Sequence, residues 1–365
     1  MSLSFLAEPA LLLVLLFGAA ALARRHLMRP GESPIASGGI VMAGGIFVIA
    51  ALGRFPFPEV VSVIVALSLL VVWVFIAVSY VRSALRGDLL RNLRQPANAF
   101  TVGTWVAGSA VLGRALFETL PGWRMLEVAL WAVAAVLWLL YLGLLAPAFR
   151  TVWRSPAGGG ANGAILLSTV AAQSLVVSGG AVIPGGMPRW VSAALIVLGY
   201  AFYAVGLVPL ARRYLLRGEW NLAEHWDDTN CILHGAMSIT GLAIVQSGAL
   251  PGSWAVATWV WAAVVFVLVE ALEAARLAAR ARSYGWREGM FTYYISQWAR
   301  IFTFGMFYAF TLQLYRSPVA PEWLSGALGA IANHGHYVVL AALLAQTALF
   351  LLDRIGPSPK PAAES

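Results

Sequence analysis

The stretch Ile295–Phe310, ISQWARIFTFGMFYAF, buries a guanidinium in an apolar run and sets Phe302, Phe304, Phe307 and Phe310 around Gly305. An arginine so placed can pair with a carboxylate or hold an anion. A phenylalanine ring can block a narrow passage and keep it dry. A mid-span arginine costs at least ~2.5–3.5 kcal/mol, so it needs a partner, and Glu270 in the preceding apolar segment is the nearest candidate. At ~1.5 Å per residue, Glu270 lies roughly 7 Å deep and Arg300 roughly 13 Å deep, a gap that an extended arginine closes. An ion pair Arg300–Glu270 is therefore expected, with an anion-facing Arg300 as the other reading. Arg300 and Phe302 are about 200° apart around a helix, whereas Phe304 shares the side of Arg300. Either Phe302 faces a lumen and Arg300 faces a neighbour, or Phe304 faces the lumen with Arg300 as an anion ligand.

Other groups suggest weaker chemistry. Thr104, Gln173, Ser174, Ser238, Thr240 and Gln246 lie in apolar segments and can donate hydrogen bonds to an anion without a fixed charge. The run Glu224-His225-Trp226-Asp227-Asp228, with His234 beyond it, matches no zinc spacing. It reads as an acidic turn or a helix cap at Asp228 or Thr229. His334-Gly335-His336 invites a haem or quinone reading, but haem bundles pair histidines from facing helices, and His26, His225 and His234 sit near the other ends of their segments. No nucleophilic triad or phosphate-binding loop occurs, so no catalysis, metal or cofactor is expected. The single cysteine, Cys231, excludes an internal disulfide.

The elements that must position these groups are apolar helices. The chain has 365 residues, 60% hydrophobic and 11% charged, with mean hydropathy +0.79, against about 25% charged in soluble domains. Runs near the ~20 residues of a spanning helix occur at about 5–23, 37–53, 60–80, 98–117, 125–146, 163–182, 189–210, 232–250, 253–275, 291–314 and 325–352. With the N-terminus outside, most of the 24 basic residues fall in loops on the inner side. Only Arg54, Arg114, Arg124, Arg189 and Arg316 fall outside, and Arg300 lies within a span. This asymmetry follows the positive-inside rule, so the net charge of +8 is a topology signal and no nucleic-acid partner is implied. The first run lacks a basic segment before it and reads as an anchor rather than a cleaved leader. Residues 1–35 thus form an extra helix and basic loop, 36–354 a ten-helix domain, and 355–365 a disordered tail on the inner side of a bacterial plasma membrane.

The ten spans alternate in composition. GGIVMAGGIF (38–47), TVGTWVAGSAVLG (101–113), LSTVAAQSLVVSGG (167–180) and HGAMSITGLAIVQSG (234–248) are slim and polar, as is the opening stretch. The spans between them, such as VALWAVAAVLWLLYL (128–142), are bulky and aliphatic. Polar side chains need protein or water beside them in a bilayer, and small residues allow close helix approach. Five slim helices are expected inside and five bulky ones against lipid. The inner helices either pack as an ordinary bundle or line a pore.

These stretches, with LRQPANAFTVGTWVAGSAVLG (93–113), LLSTVAAQSL (166–175) and WARIFTFGMF (298–307), resemble the tellurite-resistance/dicarboxylate transporter family, which includes slow-type anion channels. The resemblance runs in order from about residue 36 to 352. It implies five helical hairpins around a central pore, a phenylalanine plugging it at the position of Phe302, and a homotrimer. Thr303 stands where the family pattern often has a proline. The combined expectation is an all-α integral membrane protein passing small inorganic or organic anions, gated at Phe302 or Phe304. Gly44, Gly45, Gly108, Gly241 and Gly305 would give the lumen width, and Thr104, Gln173, Ser174, Ser238 and Thr240 would line it. A proton-coupled carrier of dicarboxylate, sulfite or tellurite is the alternative, and a haem-binding redox subunit a third.

Overall fold

The computed structural model describes residues 3–27, 33–156, 159–216 and 220–355, and these are helical with no strand among them. The basic loop 28–32 and the tail from Gly356 lie outside the described residues. The helices in chain order are α1 (Leu3–Leu27), α2 (Gly38–Ile46), α3 (Glu59–Leu85), α4 (Asp88–Leu93), α5 (Pro96–Thr101), α6 (Gly103–Thr119) and α7 (Arg124–Arg154). They continue with α8 (Leu167–Val182), α9 (Arg189–Leu215), α10 (Leu222–His225), α11 (Ile232–Ser247), α12 (Gly252–Met290), α13 (Trp298–Tyr315) and α14 (Ser325–Ile355). Short helical turns extend α2 to Arg54 and precede α7, α8, α11, α13 and α14.

Punctuation in the sequence sets the boundaries. Pro58, Pro188 and Pro251 stand at the residue before α3, α9 and α12, while Pro121 opens the turn before α7 and Pro321 precedes that before α14. Proline has no N–H to lose at a helix start, and its φ is already helical. Gly248 ends α11 in the left-handed region at φ 57°, where glycine carries no Cβ penalty. The 39-residue α12 would be about 58 Å long if straight, well beyond the ~30 Å hydrocarbon core. Gly285, at φ 80°, breaks it near its far end.

Eight helical runs are long and apolar enough to cross a membrane: Ile35–Arg54, Glu59–Leu85, Pro96–Thr119, Pro121–Arg154, Gly163–Val182, Arg189–Leu215, Gly252–Met290 and Glu322–Arg354. The helices α11 and α13, expected as spans, fall outside this set because polar residues such as His234, Gln246, Arg300 and Gln313 lower their hydropathy. They nonetheless complete the architecture. α2 packs on α6, α6 on α8, α8 on α11, α11 on α13, and α13 back on α2, a closed ring of five. Each of α3, α7, α9, α12 and α14 packs outside it, against the inner helix that precedes it. α1 leans on α3 and α14.

Burial follows composition. In the three inner runs 78%, 78% and 83% of the residues are buried, against 33%, 22%, 28%, 28% and 17% in the outer five. The outer faces carry exposed Val133, Val136, Leu139, Leu140, Val264 and Val267, which suits hydrocarbon. The chain is an all-helical multi-pass membrane protein.

Candidate functional site

The ring is open at one end. A cavity of about 1470 Å³ enters where α2, α6, α8, α11 and α13 end beside the proline turns. Its deepest residues on those helices are Ile46, Val111, Ser174, Ile239 and Met306. Each lies eight or nine residues from its helix end, a depth of about 12 Å. Nearer the mouth the lining turns polar, with Ser178, Gln246 and Gln313, then Arg54, Arg114, Arg189 and Arg316 beside Glu59 and Glu118. Arg114 is held by Glu118 at 2.8 Å. Arg189 donates to the carbonyl of Gly248, and Arg54 to the carbonyl of Ala332 and to the Tyr308 side chain. No carboxylate lies within ion-pair distance of Arg54, Arg189 or Arg316 among the described residues. The mouth is a vestibule in which four arginines stand beside three carboxylates, those of Glu8, Glu59 and Glu118.

The floor is closed. On α13 the lining residues Met306, Ala309, Gln313 and Arg316 share one helical face, and the next position down that face is Phe302. Phe302 is 1% exposed. At the same level the other helices place Met42, Ala43, Ala107, Val170, Ala171 and Ala236, all buried. Phe302 is thus a large buried ring one turn below the cavity, among Met42 and smaller side chains. Phe304 points elsewhere: its ring lies 5.2 Å from Phe266 on α12 and 6.3 Å from His234 on α11. Phe304 thus packs toward α11 and α12.

Several expected lining residues have other uses. A Cβ on Gly44 would meet Leu69 of α3 at 2.4 Å, one on Gly45 Val111 at 2.6 Å, and one on Gly108 the carbonyl of Gly38 at 3.0 Å. On Gly241 it would strike the Phe310 ring at 2.0 Å, and on Gly305 Ile46 at 2.6 Å. The expectation that these five widen the lumen is corrected: each admits a side chain or backbone of a neighbouring helix. Gln173 does not face the cavity either. Its amide donates to the carbonyls of Leu195 and Ile196 on α9, in the slot left by Gly199. Thr104, Ser238 and Thr240 are buried; Ser238 and Thr240 bond carbonyls of their own helix, those of His234 and Ala236, Thr104 bonds the carbonyl of Thr101 at the end of α5, and none of the three lines the cavity. Ser174 does, while its hydroxyl donates to Val170. A hydroxyl in an apolar helix satisfies itself on the preceding turn, which sequence position alone does not reveal.

Arg300 sits at the closed end. Its Nε is 3.6 Å from Glu270 and its Nη2 3.1 Å from Glu273. Glu273 also takes Arg276 at 3.0 Å, and His234 Nε2 is 3.6 Å from Glu270. Sequence reasoning missed Glu273 and His234. The i, i+3, i+6 spacing of Glu270, Glu273 and Arg276 puts all three on one strip of α12 and was the available signal.

The remaining motifs are structural. Asp227, one residue before the expected cap, accepts from the N–H of Thr229 and so caps the turn leading to α11. The turn's Asp228 accepts from Ser296, and its carboxyl is pushed up to about 6 by burial and then by the Asp227 charge. His336 is buried against Phe55 and Tyr337, while His334 is exposed. No cluster of three metal-ligating side chains occurs among the described residues.

Against this geometry, residues 33–346 match the family model SLAC1, described as voltage-dependent anion channel. No curated protein matches the chain.

Proposed function

The chain belongs to the voltage-dependent anion channel family, and on that premise we propose that it moves small anions along the axis of its five inner helices, with Phe302 as the gate. The observation that carries this reading is the cavity that follows one face of α13 down to Met306 and stops where that face presents Phe302. Arg54, Arg189 and Arg316 would concentrate anions at the mouth. Amide groups such as those of Gln246 and Gln313 would meet them inside with no fixed charge to hold them back. The arginine distribution supports a vestibule on the outer face of a bacterial inner membrane, with the opposite end cytoplasmic. The family resemblance supports a homotrimer.

A vestibule open to one side above a closed floor also suits a carrier, proton-coupled and handling dicarboxylate, sulfite or tellurite. Counterflow of labelled anion separates the two, because an open channel gives none. In liposomes, Phe302→Ala should raise chloride or nitrate flux by about tenfold or more, since an aromatic plug excludes water as well as ions. Phe304→Ala should leave flux within about twofold of the unmodified protein. An unchanged flux in Phe302→Ala, or the larger rise in Phe304→Ala, overturns the assignment of the gate.

A further inference from the structure

The closed end of the ring holds a partly buried cluster that anion passage does not use. α11 contributes His234, α12 contributes Glu270, Glu273 and Arg276, α13 contributes Arg300, and the turn before α11 contributes Asp228 and Cys231. The contacts run His234–Glu270 at 3.6 Å, Glu270–Arg300 at 3.6 Å, Arg300–Glu273 at 3.1 Å and Glu273–Arg276 at 3.0 Å. Asp228 feels both guanidiniums. The carboxylates of Asp228, Glu270 and Glu273, with Asp227 beside Asp228, thus face the guanidiniums of Arg276 and Arg300. With all ionised and the imidazole neutral, carboxylates outnumber guanidiniums in the cluster. Unbalanced charge away from water is unfavourable and is relieved by taking up a proton.

His234 is placed to hold that proton. It is fully buried, and neither ring nitrogen has a hydrogen-bond partner. The groups facing it are Glu270 from α12, Arg300 from α13 and Cys231 from the preceding turn, with Tyr203 of α9 nearby, bonded to the carbonyl of Leu233. The helix α8, which also packs on α11, carries no ionisable side chain. Asp228 lies in the turn before α11, six residues ahead of His234, and accepts from Ser296. The cluster also touches the gate helix. Arg300 is two residues before Phe302, Phe304 packs on His234, and the Thr303 side chain fills the slot at Gly235.

We propose that His234 and Glu270 form a buried proton-binding site whose occupancy sets the position of α13 and hence the gate. A proton from the aqueous phase binds the free imidazole nitrogen. The 3.6 Å contact then becomes a charge-assisted hydrogen bond, and Glu270 is shared between His234 and Arg300 instead of serving Arg300 alone. The link to the gate rests on the anion-pathway reading; the proton site does not.

The two parts are tested separately. A variant with His26, His225, His334 and His336 changed to Gln keeps His234 as its sole histidine. Its ¹⁵N-imidazole spectrum in bilayers should pass from neutral to imidazolium between pH 8 and pH 5. A single protonation state throughout overturns the site. In liposomes, anion flux of the unmodified protein should change by about threefold or more over the same range, as expected for a shifted two-state population. His234→Gln should remove that dependence while still conducting. A His234→Gln variant that keeps the original pH profile overturns the link to the gate. Absence of flux from every variant, Phe302→Ala included, would refute the anion pathway, and the imidazole spectrum would still decide the proton site.

Discussion

The two ends of the inner ring hold similar charges and treat them in opposite ways. At the vestibule Arg54, Arg189 and Arg316 have no carboxylate in ion-pair range among the described residues, whereas Arg114 is matched by Glu118. At the closed end Arg300 and Arg276 are held by Glu270 and Glu273 among packed helices. An arginine facing water keeps its hydration and costs little, so its field remains available to a passing ion. An arginine in a packed bundle must be neutralised or the helix cannot stay there. The same residue type is an attractor at one end and a clamp at the other, and what separates the roles is the cavity that stops above Phe302.

That contrast can be broken in order of effect. Glu273→Gln leaves Arg300 with Glu270 alone and should cost about 3 kcal/mol, the usual penalty for removing one partner of a buried pair. A large drop in the thermal midpoint by size-exclusion assay in detergent would register it, and an unchanged midpoint would mean that the cluster is not a clamp. Asp228→Asn should stabilise at high pH. The carboxyl is raised from 3.8 to about 6 in the fold, so the folded state holds the proton longer than the unfolded chain. Stability falls as pH climbs through that window, and the ionised form is penalised above it. The variant should gain on the order of 1 kcal/mol at pH 8 and nothing below pH 3.5. A gain only in acid would reverse the assignment. At the other end, Arg54→Gln with Arg316→Gln should leave folding unchanged and lower anion flux by about two- to fivefold at low salt, with the deficit vanishing near 1 M. A deficit that ignores salt would mean that the vestibule charges act by contact rather than by field.

The layering was legible because composition tracks environment. Glycine and hydroxyl residues in GGIVMAGGIF or HGAMSITGLA mark a helix contacted on every side, and VALWAVAAVLWLLYL marks one bathed in lipid. The same fact hid the finer assignment. An inner helix has neighbours all round, so Gly241 can open a slot for Phe310 and Gln173 can reach α9 while both belong to a polar inner segment. Phe302 and Phe304 differ by two residues, and only the packed register shows that Phe304 lies against Phe266 while Phe302 is buried on the helical face that carries Met306. Arg300 announced its need for a carboxylate, and Glu270 answered it in sequence. Glu273 escaped notice because it lies one turn nearer the helix end, where a carboxylate needs no partner of its own.

The central claim is a passage open from the vestibule to Met306 and shut at Phe302. Cys231 is buried and is the only cysteine, so single introduced thiols can map the axis with a charged, membrane-impermeant methanethiosulfonate added from the vestibule side. Met306→Cys should react, and Ala299→Cys, the next position on the same face beyond Phe302, should not until Phe302→Ala is added. Equal labelling of both thiols in the presence of Phe302, or no labelling of Met306→Cys, would contradict it.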